Sequence, residues 1–120
     1  MAVTFVIVWQ FQVLPDHQEE FERAYGPRGD WARFFGRSQE YLSTELLRAP
    51  IADSADVVEE QTVEEIEKNG RDYFTIDRWS SADAYASFNE RNAAEYEDLD
   101  NRFLELCEGE MCLGHFEVVE

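Results

Sequence analysis

The sequence has few of the residues that build metal, redox and phosphate sites. Its 120 residues include only two histidines and two cysteines. His17 and His115 lack the spacings of histidine-based metal ligands. Cys107 and Cys112 lie five positions apart without a second pair, which fits neither a zinc site nor a disulfide framework. No glycine-rich phosphate loop follows the first hydrophobic segment. We therefore expect no metal, flavin or nucleotide cofactor, and a reduced, cytoplasmic protein.

Basic residues and long apolar runs are also scarce. Ten lysines and arginines face 27 acidic residues, for a net charge of −17. Such a field repels phosphate backbones, so we expect no nucleic-acid partner. No uncharged apolar run approaches the ~18 residues of a membrane span. The first segment lacks the basic region and cleavage site of a signal peptide.

What the sequence does contain is enough apolar material for a core. Hydrophobic residues make up 44% of the chain and aromatic residues 14%. This composition and length predict one folded domain over residues 1–120.

The chain repeats a pattern of strand, broken helix and strand. Segments rich in β-branched and aromatic residues predict strands at 3–13, 41–48, 72–79 and 113–119. Alternation places five residues of the first strand on one face, Phe5, Ile7, Trp9, Phe11 and Val13. The motif "GPRG" divides the first helical stretch, and the second keeps helical spacing as far as Leu106, with Gly109 as its stop. The pattern predicts an α+β ferredoxin-like sandwich, a four-stranded antiparallel sheet with helices on one face.

Two features of this fold concern its surroundings. The acidic segment 51–70 is predicted as an excursion between strands, either solvated or a flap over a pocket. Helices on one face of the sheet leave the other face, with Val6, Val8 and Ile76, open to water. Covering that face predicts a homodimer.

The third strand presents an unusual inner face. Alternation places Tyr73, Thr75, Asp77 and Trp79 together. Asp77 lies either in solvent at a sheet edge or in the interior. In the interior it should be paired or should have a raised pKa, as a general base requires. Trp79 ends the strand, and about one helical turn later Tyr85 returns to the sheet. The two rings are predicted neighbours, either as core or beside a cavity.

Five segments follow one another along the chain: "VLPDHQEEFERAY", "GDWARFF", "YLSTELLR", "YFTIDRWSSADAYASF" and "CLGHFEVV". Their order resembles the antibiotic biosynthesis monooxygenase family of the dimeric α/β barrel superfamily. The resemblance implies a homodimer whose sheets face each other. It also implies one of several activities: oxygenation of aromatic polyketides without a cofactor, haem degradation, isomerisation, or no assigned role.

The resemblance also implies site residues. In the resembled oxygenases a Trp at the end of the third strand lines a cavity, and some place a Tyr on the next helix. Trp79 and Tyr85 match these positions. One such oxygenase uses an Asn four residues before the Trp, where this chain has Thr75. Haem degradation needs a His about ten residues after the Trp, and Asn89 at that position disfavours it.

Three functions stay open on this basis. The first is a cofactor-independent oxygenase of a small aromatic or polyketide-like substrate. The second is a non-redox isomerase or cyclase in the same cavity, and the third is a non-catalytic dimer that binds a small apolar ligand or nothing. The missing Asn favours the second and third. Candidate catalytic residues are Tyr85, Trp79, Asp77 and His115, and candidate substrate contacts are Trp31, Phe34, Phe35, Tyr73 and Thr75.

Overall fold

The structure is a computed structural model that describes residues 3–50 and 70–119. These residues form a four-stranded antiparallel sheet with the strands in the spatial order Tyr41–Arg48, Arg71–Trp79, Phe5–Val13 and Cys107–Glu117. The predicted ferredoxin-like α+β fold is therefore confirmed. Nearly all of the predicted 51–70 excursion lies outside the described residues. The elements are β1 Phe5–Val13, α1 Gln18–Tyr25, α2 Asp30–Phe35, β2 Tyr41–Arg48, β3 Arg71–Trp79, α3 Ala82–Arg91, α4 Ala93–Arg102 and β4 Cys107–Glu117, with short 3-10 helices at Pro15–His17 and Leu104–Leu106.

The inner face of β1 follows its hydrophobic alternation. Phe5, Ile7, Phe11 and Val13 are buried against the helices, as predicted. Trp9, on the same face, is only half-buried. The antiparallel register with β3 is continuous from the pair Phe5 and Trp79 onward. The large side chains of both strands therefore lie on the face of the sheet that packs against the helices.

The fourth strand is longer than predicted. It begins at Cys107 rather than at residue 113, and Gly109, the predicted helix stop, lies inside it. Phe103 and Leu106 are buried and continue the helical spacing of apolar residues, although α4 ends at Arg102. β4 pairs with β1 along the whole length of β1, and this non-local pairing overrides a weakly strand-forming local sequence.

Two outer strands carry irregularities that change which residues face inward. In β2, Tyr41 pairs with Trp79 but Ser43 pairs with Arg78, which leaves Leu42 as an extra residue. In β4, the register against β1 shifts at two places. A bulge of this kind reverses the alternation beyond it. The bulges therefore decide which side chains of β2 and β4 reach the helices.

The core between sheet and helices is built mainly from aromatic rings. Trp79, Tyr73 and Phe21 are among its largest fully buried side chains. Phe21 stacks on Tyr25 with ring centroids 4.2 Å apart. Tilted and edge-to-face pairs predominate in the rest, the arrangement that the ring quadrupole favours. None of the described helices exceeds 10 residues, so none could cross a membrane.

Candidate functional site

A cavity of about 250 Å³ lies between the inner face of the sheet and the helices. Each of the four strands and four α-helices that the structure describes contributes to its wall. The wall is mostly aromatic, with two threonines and three carboxylates. It comprises Trp9, Phe11, Tyr25, Trp31, Phe35, Thr44, Thr75, Asp77, Tyr85, Tyr96, Asp100 and Glu110.

Asp77 is a carboxylate in the middle of the sheet. Its strand β3 lies between β2 and β1, so the alternative of a solvent position at a sheet edge was wrong. Burial raises the pKa of Asp77 from 3.8 to about 6, and a hydrogen bond from the Thr44 hydroxyl opposes the shift. A group with this pKa is mostly ionised at neutral pH yet accepts a proton readily. These are the properties of a general base.

Three tyrosines share the cavity with Asp77. Burial raises the pKa of Tyr25, Tyr85 and Tyr96 above the ordinary value of 10. The charge of Asp77 adds to the shift for Tyr85 and Tyr96, whereas the Asn89 side chain lowers the pKa of Tyr85. All three hydroxyls therefore stay protonated at neutral pH. They are available as hydrogen-bond donors to an oxygen atom of a ligand.

Trp79 lies behind the cavity rather than in its wall. Its side chain is 0% exposed. The ring centroids of Trp79 and Tyr85 are 5.5 Å apart, and those of Trp79 and Phe35 are 5.6 Å apart. The predicted contact between Trp79 and Tyr85 is therefore present. Tyr85 and Phe35 line the cavity, whereas Trp79 supports both rings from the core.

Three other predicted site residues lie away from the cavity wall. Tyr73 is fully buried, and its hydroxyl donates to Glu22. Phe34 packs on Phe88 and lines a separate groove between helices. His115 lies on the edge strand β4, where it pairs with Ile7 of β1, and its ring packs on Phe5. The cavity wall thus brings together Asp77, Thr75, Tyr85, Trp31 and Phe35. Tyr73, Phe34 and His115 lie outside it, although the His115 ring packs on Tyr85 at 6.1 Å and Phe34 packs on Phe35 at 5.5 Å.

Sequence reasoning missed seven of the twelve residues of the cavity wall. Trp9 was predicted on the inner face of the sheet but not as a site residue. Tyr25 and Tyr96 could have been predicted to face the sheet, since both belong to apolar stripes of helical spacing. No sequence pattern could have indicated Thr44 or Glu110 as wall residues, because the bulges of β2 and β4 decide that they face inward.

Comparisons with known proteins identify the fold. No protein-family model matches the chain, and no curated protein matches its sequence. Among solved structures, a variant of SnoaB, a cofactor-independent oxygenase from Streptomyces nogalater, is similar with a TM-score of 0.63 and 19% identity. The match covers 99% of this chain and 96% of that one.

Two further structures are similar over nearly their whole length. A candidate antibiotic biosynthesis monooxygenase from Nitrosomonas europaea has a TM-score of 0.63 and 12% identity, covering 99% of this chain and 93% of that one. A hydroxynitrile lyase from Passiflora edulis has a TM-score of 0.60 and 12% identity, covering 100% and 97%. The chain shares one ferredoxin-like fold with an oxygenase and with a lyase.

Proposed function

We propose that this chain is a cofactor-independent oxygenase of the antibiotic biosynthesis monooxygenase type. Its substrate is a small aromatic or polyketide-like molecule with an acidic C–H bond. The observation that carries the proposal is Asp77, a base with a pKa of about 6 in an aromatic cavity that also holds three protonated tyrosines. The shared fold with SnoaB supports it.

The first step is proton transfer to Asp77. The carboxylate removes a proton from a methylene carbon that is adjacent to a carbonyl group or conjugated with it through an aromatic ring, and negative charge moves to the carbonyl oxygen. Tyr85 and Tyr96 lie in the same wall and can donate hydrogen bonds to that oxygen. Donors placed where charge develops lower the barrier most in a site with little water.

The second step is reaction of the carbanion with dioxygen. One oxygen atom becomes a new carbonyl of the product, and the other leaves as water together with the two hydrogens of the methylene group. The substrate supplies all the electrons, so the reaction requires no external reductant. The protein contributes the base, the donors and an apolar space for the two reactants.

The wall also restricts the charge of the substrate. Its three carboxylates are Asp77, Asp100 and Glu110, and none of the lining residues that the structure describes is basic. A carboxylate or phosphate on the substrate would be desolvated next to like charges. The proposed substrate is therefore neutral before it is deprotonated.

A non-redox isomerase or cyclase in the same cavity is the second candidate. Asp77 would again remove a proton, and the anion would be reprotonated elsewhere instead of meeting dioxygen. Thr75 stands where one resembled oxygenase uses an asparagine, which favours this candidate. A hydroxynitrile lyase has the same fold, so the fold is compatible with non-redox chemistry.

One experiment separates the two candidates. Hydroxylated anthrones and short β-diketones are incubated with the protein, in air with an oxygen electrode and without air in deuterated buffer. The oxygenase predicts oxygen uptake with a carbonyl product. Exchange of deuterium without oxygen uptake supports the second candidate, and the absence of both contradicts Asp77 as a base for these substrates.

The matched variants are Asp77→Asn and Asp72→Asn. Asp72 lies on the same strand but on its outer face. We expect Asp77→Asn to lose about 10²–10⁴-fold in rate, the usual contribution of a general base, and Asp72→Asn to retain the rate. Equal losses in both variants would contradict the assignment.

A further inference from the structure

Tyr41 and Thr44 face the same side of the sheet although they are three residues apart. In a regular strand such residues point to opposite faces. The extra residue Leu42 reverses the alternation, so Tyr41 pairs with Trp79 and Thr44 pairs with Asp77 on the inner face. Bulges next to active sites often redirect a side chain in this way.

The redirected residues form a hydrogen-bonded chain that ends on Asp77. The Tyr41 hydroxyl lies 2.5 Å from Thr44 Oγ1. Thr44 Oγ1 in turn donates to Asp77 Oδ1. A threonine hydroxyl has a single proton. Because Thr44 gives that proton to a carboxylate, it must accept from Tyr41, which sets the direction of the whole chain.

We propose that Thr44, oriented by Tyr41, is the positioning residue that holds Asp77 as a carboxylate with one oxygen free for the substrate. The inference rests on the proposed function, in which Asp77 is the base. Thr44 is 7% exposed and lines the cavity beside Asp77. Within residues 3–50 and 70–119, Asp77 Oδ2 has no hydrogen-bond partner, so that oxygen is the one that can take the proton.

The surroundings of Asp77 explain why one hydroxyl matters. Outside the wall, the His115 ring on β4 packs on Tyr85. The titratable groups that line the cavity with Asp77 are Tyr25 on α1, Tyr85 on α3, Tyr96 and Asp100 on α4, and Glu110 on β4, and Tyr41 on β2 lies against Thr44. These are acids and protonated tyrosines, and the described wall has no cation. Burial alone therefore favours the protonated form of Asp77. The Thr44 hydrogen bond is the contact that opposes burial.

The test measures the carboxyl group directly and needs no substrate. Protein labelled with ¹³C at the aspartate side chains is titrated by NMR, and Asp77→Asn identifies the signal of Asp77. We expect Thr44→Val to raise the pKa of Asp77 by about one to two pH units, since a hydrogen bond to a charged group is lost. Thr44→Ser keeps the hydroxyl and should titrate like the wild type.

Thr75→Val is the matched control for this titration. Thr75 is a buried threonine in the same wall, 4% exposed, and it makes no hydrogen bond to Asp77 in the described structure. Its replacement should leave the pKa of Asp77 within a few tenths of a unit. If Thr44→Val does not fold, Thr44→Ala is compared with Thr75→Ala in the same way. Equal shifts at the two positions, or no shift at Thr44, would overturn the proposal.

Tyr41→Phe tests the outer link of the chain. We expect a smaller rise in the pKa of Asp77, because the Thr44 hydroxyl stays but loses the donor that orients it. An unchanged pKa in Tyr41→Phe would remove Tyr41 from the proposal. These outcomes are independent of oxygen uptake. A failed oxygenase assay with a shifted pKa would contradict the proposed function alone.

Discussion

Asp77 destabilises the fold at neutral pH while it serves as the candidate base. Its pKa is about 6 in the folded protein and has an ordinary value of 3.8. Between these values the folded state binds more protons than the unfolded chain. The free energy of unfolding therefore falls as the pH rises through this window, and the stability that Asp77 contributes in its protonated form is lost above about pH 6.

Replacing Asp77 by Asn should remove this pH dependence. The amide is neutral at every pH, so Asp77→Asn should unfold at a higher temperature than the wild type at pH 8, by roughly 3–6 °C for about 1 kcal/mol. The difference should shrink towards pH 4. Thermal unfolding followed by circular dichroism at several pH values measures it, with Asp72→Asn as the control. A lower unfolding temperature at pH 8 would contradict the prediction.

Trp79 and Tyr85 are in contact, but their replacement should have different consequences. Trp79 is fully buried, so Trp79→Ala should cost about 3–5 kcal/mol of unfolding free energy. Tyr85→Phe keeps the ring and should cost at most about 1.5 kcal/mol, while it removes a donor from the cavity and lowers the rate. Urea unfolding and the oxygen assay together measure both effects. Similar stability losses in the two variants would mean that Tyr85 is core rather than wall.

At the scale of elements, Gly70 determines how β3 begins. Its φ is +86°, and a Cβ atom there would lie 2.2 Å from the carbonyl oxygen of Val13. Gly70→Ala should therefore destabilise the protein by about 1–3 kcal/mol, the usual range for a strained backbone position. Gly109→Ala is the control, because a Cβ there meets only the flexible Gln12 side chain, at 3.3 Å. Equal effects in urea unfolding would contradict the argument.

The strands also show where local sequence patterns stop predicting the structure. The prediction of β1 holds to within two residues, because the segment is rich in β-branched and aromatic residues and its second half alternates. β4 was assigned too short, since "CEGEMC" has little strand preference of its own and becomes a strand by pairing with β1. The interior position of β3, and with it the partial burial of Asp77, follows from the strand order rather than from the residues of β3.

For the whole molecule, a homodimer remains a prediction that the outer face of the sheet supports. Met111 and Phe116 lie on that face and are 58% and 50% exposed. Pairing two sheets would cover them. Light scattering at micromolar concentration should give twice the chain mass of 14.0 kDa. Met111→Lys should shift the mass towards the monomer without unfolding it, and a monomeric wild type would contradict the prediction.

The charge of the molecule should select among ligands of one shape. With a net charge of −17 and three acids in the cavity wall, an anionic aromatic should bind more weakly than its neutral analogue. Thermal shift with a hydroxyanthrone and its sulfonate tests this, because a ligand of the folded state raises the unfolding temperature. We expect stabilisation by the neutral compound only. Equal stabilisation by the sulfonate would contradict the charge argument.

The sequence by itself determined that a sheet packs against a layer of helices. Alternation and helical spacing are local properties, and they were sufficient to predict the ferredoxin-like fold, the inner face of β1 and the contact between Trp79 and Tyr85. Only the tertiary structure decided which of these residues surround empty space. Register, bulges and strand order arise from pairings between distant segments. These pairings place Thr44 beside Asp77, turn Glu110 inward and leave Trp79 in the core.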